Sequence, residues 1–186
     1  MKKTLIAVIS TVLICCCVFG GTLAWLMDTS KTVTNTFTFG NVDIELTETG
    51  VDANYKQTFK MIPGEETTKD PTVTVKGGSE ACWLFVKIEK SDNLDNFITY
   101  SVITENDNWK ALGGQSGVYY RSVLASDTDQ DFVILTDNKV TVKKDVTKTM
   151  INDLTEATYP TLSFTAYAVQ AEGVATVEAA WAIANP

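Results

Sequence analysis

Residues 81–89 read ACWLFVKIE and form the strongest β-strand pattern in the chain. In an extended strand, successive side chains point to opposite faces. The first half of this segment is apolar on both faces, and charge enters only at Lys87 and Glu89. A strand covered on both sides lies inside a sheet, so we expect this one to be central, with only its far end in water. One face would carry Cys82, Leu84, Val86 and Ile88, and the other Trp83, Phe85, Lys87 and Glu89.

Further strand-like runs, separated by turn residues, lie on both sides of this segment. They cover residues 32–46, with a slip in the alternation at Gly40 and Asn41, and residues 71–75, 98–102, 109–112, 118–122, 132–135, 140–142 and 161–169. Residues 149–154 are expected to form a helical turn, and the Ala-rich segment Val177–Ala184 a short terminal helix. Many short strands with few helical patterns predict an all-β fold, an antiparallel jelly-roll-like β-sandwich with short helical pieces.

The first 24 residues have the three-part pattern of a secretory signal peptide, which we expect to be helical. Two lysines precede an apolar run at residues 4–19, and Thr22-Leu23-Ala24 places small residues at the −3 and −1 positions of a cleavage site. We expect cleavage after Ala24, so that Trp25 begins the mature chain. A membrane-spanning helix needs about 20 apolar residues. The shorter run here favours cleavage over the alternative, an uncleaved membrane anchor.

The predicted organisation is therefore a signal peptide at residues 1–24 and one β-sandwich domain at residues 25–186. Loss of Lys2 and Lys3 would change the formal net charge from −8 to −10. Such a domain is repelled by nucleic acid and by anionic lipid. We therefore expect no nucleic-acid partner, and contact with the membrane only before cleavage.

Three of the four cysteines lie in the predicted signal peptide, at Cys15, Cys16 and Cys17. Lipidation of one of them is an alternative, but Leu13 and Ile14 precede Cys15, where a lipid-modified cysteine normally follows small residues. After cleavage, Cys82 would be the sole cysteine, which excludes an internal disulfide. The stability of an exported domain without disulfides then depends on its apolar core.

The chain contains no histidine. This excludes histidine-based catalytic triads and HExxH zinc sites. Cys82 has no histidine to activate it and lies in an apolar strand, so we interpret it as a core residue. No glycine-rich phosphate loop connects a strand to a helix. We expect no cofactor and no enzymatic activity, although carboxylates alone could in principle form an active site.

Asp127, Asp129 and Asp131 are spaced like the start of a calcium-binding loop. An EF-hand would need glycine at its sixth position and glutamate at its twelfth, where this chain has Phe132 and Asn138. The three aspartates are therefore a weak candidate for an irregular calcium site. The alternative is a solvated acidic loop.

Four tryptophans, Trp25, Trp83, Trp109 and Trp181, could line a carbohydrate groove. Trp83 and Trp109 lie on predicted strands and Trp181 on the terminal helix, which favours packing in a core or an interface. Trp25 differs, because after cleavage it would be a large exposed ring at the chain terminus. An exposed apolar terminus implies a partner.

Two segments resemble the TasA/camelysin family of Gram-positive bacteria. They are residues 20–25, GGTLAW, and residues 35–44, NTFTFGNVDI. Weaker similarity extends to Pro63-Gly64, to the turn at residues 77–79, to Tyr119-Tyr120 and to residues 166–171. The resemblance implies processing by a SipW-type signal peptidase, a jelly-roll domain, and secretion to the cell surface or extracellular matrix.

The resemblance also implies assembly into biofilm fibres, in which the N-terminal strand of one subunit completes a sheet of the next. Accessory matrix proteins would be further partners. The residues at the matching positions are Trp25, Leu26, Met27, Asp28, Thr29, Ser30, Lys31, Thr32 and Val33. The camelysin side of the family carries a metallopeptidase label, which we do not transfer to a chain without histidine.

Three functions stay open at this point. The first is a structural subunit that polymerises head to tail through residues 25–33. The second is a monomeric cell-surface module that binds a glycan, calcium or a surface protein. The third is a hydrolase. For the structural subunit, one alternative remains. The alternating pattern that suits strand donation would also allow residues 25–34 to fold back as an edge strand of their own sheet.

Overall fold

The computed structural model describes residues 41–53, 56–104 and 108–186. The predicted signal helix, the cleavage site between Ala24 and Trp25, the assembly strand at residues 25–33 and most of the strand predicted at 32–46 lie outside these residues. The predicted fold class is confirmed, because the described chain is mostly antiparallel β-sheet with a few short helices.

Ten strands and three α-helices are described. The strands are β1 (Ile44–Thr47), β2 (Glu66–Thr68), β3 (Thr72–Val75), β4 (Cys82–Lys90), β5 (Ile98–Thr99), β6 (Lys110–Ala111), β7 (Val118–Val123), β8 (Gln130–Val133), β9 (Lys139–Val142) and β10 (Leu162–Gln170). The helices are α1 (Leu94–Phe97), α2 (Lys148–Asn152) and α3 (Val177–Ala184). Two 3₁₀ turns cover Thr136–Asn138 and Glu156–Thr158.

The strands form three antiparallel sheets. The front sheet has the order β1-β3-β8, the back sheet β10-β4-β7-β6, and the side sheet β2-β9-β5. Inward side chains of the front and back sheets pack into one core, whose members from β3 and β4 are almost fully buried. Two packed sheets around one apolar core form a β-sandwich.

Strand β4 is central, as its sequence predicted. It pairs with β10 on one side and β7 on the other. Cys82, Leu84, Val86 and Ile88 belong to the core between the sheets, whereas Phe85 and Trp83 pack in a second cluster on the outer face of the back sheet. Only the end of the strand, at Glu89 and Lys90, is exposed.

The strand-like runs at residues 109–112 and 118–122 pair with each other as a hairpin of β6 and β7. Asp137 and Asn138 form the turn between β8 and β9, and both residues have positive φ, of 55° and 53°. Asp and Asn tolerate this backbone region better than most residues. The turn lies beside the bend between the front and side sheets, where Asn138 accepts a hydrogen bond from the Lys69 N–H at 2.8 Å.

The helical predictions are confirmed at α2, which lies within one residue of the expected start, and at α3, whose bounds match. After β4 the chain makes one helical turn, α1. Leu94 and Phe97 are both buried there, because residues three apart share a helix face. Every helix in the described part of the chain is too short or too polar to traverse a bilayer.

Candidate functional site

The sandwich has one incompletely covered side, where β1 and β10 are the outer strands of the front and back sheets and contact each other. Their inward side chains pack on the core but stay partly exposed, whereas Val73, Leu84 and Val86 beneath them are 0% exposed. We call this set the edge seam. It consists of Val42, Ile44 and Leu46 from β1 and its approach, and Leu162, Phe164, Ala166 and Ala168 from β10.

The described strands pair with the backbone along the edge seam on one side only. Within the described residues, β1 pairs with β3 alone and β10 with β4 alone. Strand β10 is nine residues long, equal to β4 and longer than the other strands described. An outer strand presents a row of N–H and C=O groups that can pair with another strand. The seam therefore combines a backbone template with half-covered apolar side chains.

The opposite side of the sandwich is filled differently. The Arg121 guanidinium lies 4.0 Å from the centre of the Phe132 ring and 5.7 Å from that of Trp109. Trp109 is 0% exposed, and its Nε1 donates a hydrogen bond to the Val133 carbonyl at 2.8 Å. Burial lowers the pKa of Arg121. A cation between aromatic rings covers this side.

One end of the edge seam is occupied by a buried ion pair. The Lys69 Nζ lies 2.8 and 3.0 Å from the two carboxylate oxygens of Glu48. It also lies 5.2 Å from the ring centre of Phe164 and 5.7 Å from that of Phe59. The side chains of Lys69 and Glu48 are only 10% and 13% exposed. We call these four residues the lysine cage.

A second contact between the same two segments lies beside the cage. The Asp70 carboxylate accepts hydrogen bonds from the Thr49 backbone N–H at 2.9 Å and from the Thr49 hydroxyl at 2.7 Å. Partial burial raises the pKa of Asp70, but the hydrogen bonds from Thr49 outweigh it, so that the pKa is lower than usual. Lys69 and Asp70, which are adjacent in the sequence, thus hold the two residues that directly follow β1.

No local sequence pattern predicts the lysine cage or the burial of Arg121. Residues 66–70 read ETTKD, a polar run that is typical of a solvated surface. Lys69 and Glu48 are 21 positions apart, and their burial depends on aromatic rings from two further segments.

The tryptophans do not form a common groove. Trp109 belongs to the core between the sheets, whereas Trp83 and Trp181 pack on the outer face of the back sheet. There the Trp181 ring lies 5.3 Å from Phe85 and 5.4 Å from Tyr167, measured between ring centres. The predicted packing roles of these three residues are confirmed. Trp25 lies outside the described residues.

The three candidate calcium ligands have separate surroundings. Asp129 accepts a hydrogen bond from the Gly77 N–H at 2.8 Å, and this bond is the main reason that its pKa is lowered. Asp131 lies in β8 and accepts from the Thr74 hydroxyl at 2.6 Å. Asp127 adds no third ligand, since no group of three or more acidic or cysteine side chains suited to a metal is found among residues 41–53, 56–104 and 108–186. The structure does not bring the three aspartates together.

Cys82 is a core residue, as its strand position predicted. It is 0% exposed and unpaired. Burial raises the pKa of its thiol to about 11. A thiol that stays protonated at neutral pH is a poor nucleophile, so this cysteine does not resemble a catalytic one.

A family model described as camelysin metallo-endopeptidase matches residues 1–159. No curated protein and no solved structure matches the chain. The matched region ends before β10, so one wall of the edge seam and the whole of α3 lie beyond it.

The description of that family implies a metal centre. The side chains of this chain decide whether such a centre could be held here. Zinc in peptidases is held mainly by histidine, with a carboxylate and a water. This sequence contains no histidine, and several acidic side chains are engaged by lysines or threonines, including Glu48, Asp70 and Asp131. The described residues therefore do not fit a peptidase metal site.

Proposed function

We propose, because this chain belongs to the camelysin metallo-endopeptidase family, that it is a secreted structural subunit of extracellular matrix fibres. The resemblance to the TasA/camelysin family drawn from residues 20–25 and 35–44 is thereby confirmed. Membership supports a secreted, matrix-type protein and a location outside the cell or at its surface. The proposal goes further, to head-to-tail polymerisation through the N-terminal strand.

The observation that carries the proposal is the edge seam. Its apolar side chains are half-covered, and the outer edge of β10 has no partner strand within the described part of the chain. A strand added there would gain backbone hydrogen bonds and would cover these side chains. The occupant that we assign is residues 25–33 of a second copy of this chain.

The length and pattern of residues 25–33 suit this edge. The segment has nine residues, as has β10. Alternate positions would place on the face toward the seam Trp25, Met27, Thr29, Lys31 and Val33, and on the face toward water Leu26, Asp28, Ser30 and Thr32. Each subunit would then donate one strand and accept one. Such a contact does not close on itself and produces a filament.

Release of the segment is part of the proposal. Cleavage after Ala24 by a SipW-type signal peptidase would leave Trp25 at the start of the domain formed by residues 25–186. Accessory matrix proteins with a similar strand would be further partners. Mass spectrometry of the extracellular protein tests this step, and we expect a first residue of Trp25. A product that retains residues 1–24 would contradict it.

We do not propose peptidase activity, although the family description names it. The proposal rests on the absence of histidine from the sequence and on the separate engagement of the acidic side chains. Purified mature protein should leave casein uncleaved, with or without added zinc. Cleavage that a chelator abolishes, and that zinc restores, would assign the activity to this chain after all.

Substitutions at the middle of the donated segment test the polymerisation. Proline lacks the N–H that a strand ladder needs. The mature chain carrying Thr29→Pro should stay monomeric, whereas the matched control Thr29→Ala should form fibres like the unsubstituted protein. Electron microscopy and sedimentation measure the outcome. Fibres of undiminished length from the Thr29→Pro protein would refute strand donation.

Deletion of residues 25–33 separates donation from self-pairing. If the segment completes a neighbour, the deleted protein should be a folded monomer that no longer assembles. If the segment pairs within its own sheet, the unsubstituted protein should be monomeric, and the deletion should lower its free energy of unfolding. Monomers at high concentration that bind a glycan or calcium in calorimetry would favour the surface-binding module.

A further inference from the structure

We infer that the donated strand runs antiparallel to β10, with Trp25 opposite Gln170 and Val33 opposite Leu162. This inference rests on the proposed function, and it adds the direction and the register of the donor. It is carried by the hydrogen-bond pattern of β10 together with the alternation of side chains within residues 25–33.

Bonds at the two ends of the ladder between β4 and β10 show which backbone groups of β10 face its outer edge. The Ser91 N–H donates to the Thr161 carbonyl at 3.0 Å. At the other end, the Ala171 N–H donates to the Ala81 carbonyl at 2.8 Å. In an antiparallel pair, residues bonded to the partner strand alternate with residues whose N–H and C=O point away from it. Along this register, the groups that point away from β4 belong to Leu162, Phe164, Ala166, Ala168 and Gln170.

Four of these five residues, all except Gln170, also belong to the edge seam through their side chains. Residues that exchange hydrogen bonds in an antiparallel pair lie directly opposite each other, with their side chains on the same face. A donor bonded along this edge therefore directs its own bonded residues toward the seam. The alternate set within residues 25–33 that does so also has five members, Trp25, Met27, Thr29, Lys31 and Val33. The nine residues of the donor then match the nine of β10 from end to end.

A parallel donor suits this edge less well. In a parallel pair, a residue that bonds to the neighbouring strand lies opposite a residue that bonds away from it. With the same side chains facing the seam, the bonding residues would be the smaller set, Leu26, Asp28, Ser30 and Thr32. Parallel pairing is also slightly less stable per residue, and every strand pair within the described ranges is antiparallel. Both points favour the antiparallel direction.

The inferred register places Lys31 opposite Phe164, at the lysine cage. The Lys69 Nζ already lies 5.2 Å from the centre of the Phe164 ring, with its counter-charge on Glu48 at 2.8 Å. A lysine stem can lie along an apolar surface while its ammonium reaches water. Lys31 would therefore cover Phe164 with its stem and keep its charge in solvent, away from that of Lys69.

Cysteine cross-linking between two different variants tests the direction. A mature chain with Ala168→Cys is mixed in equal amounts with a chain that carries either Met27→Cys or Lys31→Cys, and the fibres are mildly oxidised. The antiparallel register places Met27 opposite Ala168, with Cα atoms about 5.5 Å apart, a separation that a disulfide spans. A parallel strand over the same nine residues would place Lys31 there instead. Cys82 stays in every chain, because it is 0% exposed.

We expect a covalent dimer from the Met27→Cys mixture on a non-reducing gel. The Lys31→Cys mixture should give no more dimer than the Ala168→Cys chain mixed with unsubstituted protein. If Ala168→Cys alone prevents fibre formation, Gln170→Cys takes its place, with Trp25→Cys as the antiparallel partner and Val33→Cys as the parallel one.

Proline at position 30 is an independent test of the same direction. In the antiparallel register the Ser30 N–H faces water, where an edge strand tolerates proline. Ser30→Pro should therefore form fibres within about threefold of the critical concentration of its matched control, Ser30→Ala. A parallel donor needs this N–H, so the Ser30→Pro protein would then stay monomeric.

The outcomes separate this inference from the proposed function. A covalent dimer from Lys31→Cys in place of Met27→Cys, or from neither while fibres form, would overturn the direction and leave strand donation intact. A monomeric Ser30→Pro protein would do the same. Failure of strand donation itself is recognised separately, by fibres from the protein that lacks residues 25–33.

Discussion

A single carboxylate, Asp70, ties the chain after β1 to the start of β3 through two hydrogen bonds from Thr49. These bonds outweigh partial burial and hold its pKa below the ordinary value of 3.8. A pKa that is lower in the folded protein means that ionisation stabilises the fold. The contribution is present above the unfolded pKa and is lost as the pH falls through the folded pKa.

We therefore predict that Asp70→Asn lowers the free energy of unfolding near neutral pH by on the order of 1 kcal/mol, kept small by partial exposure. The difference between the two proteins should shrink as the pH falls from about 6 to about 3. Urea unfolding at both pH values measures it. Asp92→Asn, at an exposed position, is the control. A difference for Asp70→Asn that stays constant over this range would show that ionisation of Asp70 is not involved.

The residues predicted correctly from the sequence are those whose position follows from local alternation. Cys82, Leu84 and Phe85 are buried because a period of two assigns each to a covered face of one strand. Lys69 and Arg121 are buried because of rings that lie far away in the sequence, such as Phe164 for Lys69. Local periodicity contains no information on such partners. The polar residues around Lys69 predict an exposed side chain, whereas that of Lys69 is buried.

Among the elements, α3 shows how a correctly predicted helix gains its role only from its packing. The Ala-rich run predicts a helix. Thr176 caps it, because its hydroxyl accepts a hydrogen bond from the Ala179 N–H at 3.2 Å. Its docking on the outer face of the back sheet depends on Phe85 and Tyr167, which come from two different strands. The sequence predicted the helix but did not identify the sheet face that it covers.

Substitutions on opposite faces of α3 test this packing. Trp181 is 6% exposed and Ile183 is 60% exposed. Trp181→Ala should lower the free energy of unfolding by about 3–5 kcal/mol, because it leaves a cavity against two rings. Ile183→Ala should change it by no more than about 0.5 kcal/mol. Equal effects in chemical unfolding would show that α3 does not dock through Trp181.

The strand order of the sandwich is a further property that single segments did not predict. The hairpin of β6 and β7 follows from its turn residues, but the pairing of β4 with β10 joins segments about 80 residues apart, with Phe164 opposite Ile88. Such pairing is decided by which faces can be covered together. The candidate seam depends on this long-range order, since it places β10 at an edge beside β1. Residues 25–33 were predicted as a donor from the sequence, whereas the edge seam that we propose as the acceptor follows only from the strand order.

For the molecule as a whole, net charge sets the conditions under which copies can approach. The formal charge of −8 would become −10 if the proposed cleavage after Ala24 removes Lys2 and Lys3, and like-charged subunits repel each other. The proposed contact between residues 25–33 and the edge seam is partly apolar, through Trp25, Met27 and Val33, and we expect it to gain little from charge attraction. At 0.1 M ionic strength, salt screens the repulsion between charges that are more than about 10 Å apart.

Fibre formation by the mature chain should therefore accelerate as sodium chloride is raised from about 10 mM to about 150 mM. Light scattering and electron microscopy measure the rate, and the Thr29→Pro protein controls for non-specific aggregation. Slower assembly at the higher salt concentration would mean that opposite charges, and not an apolar strand in a groove, hold the subunits together.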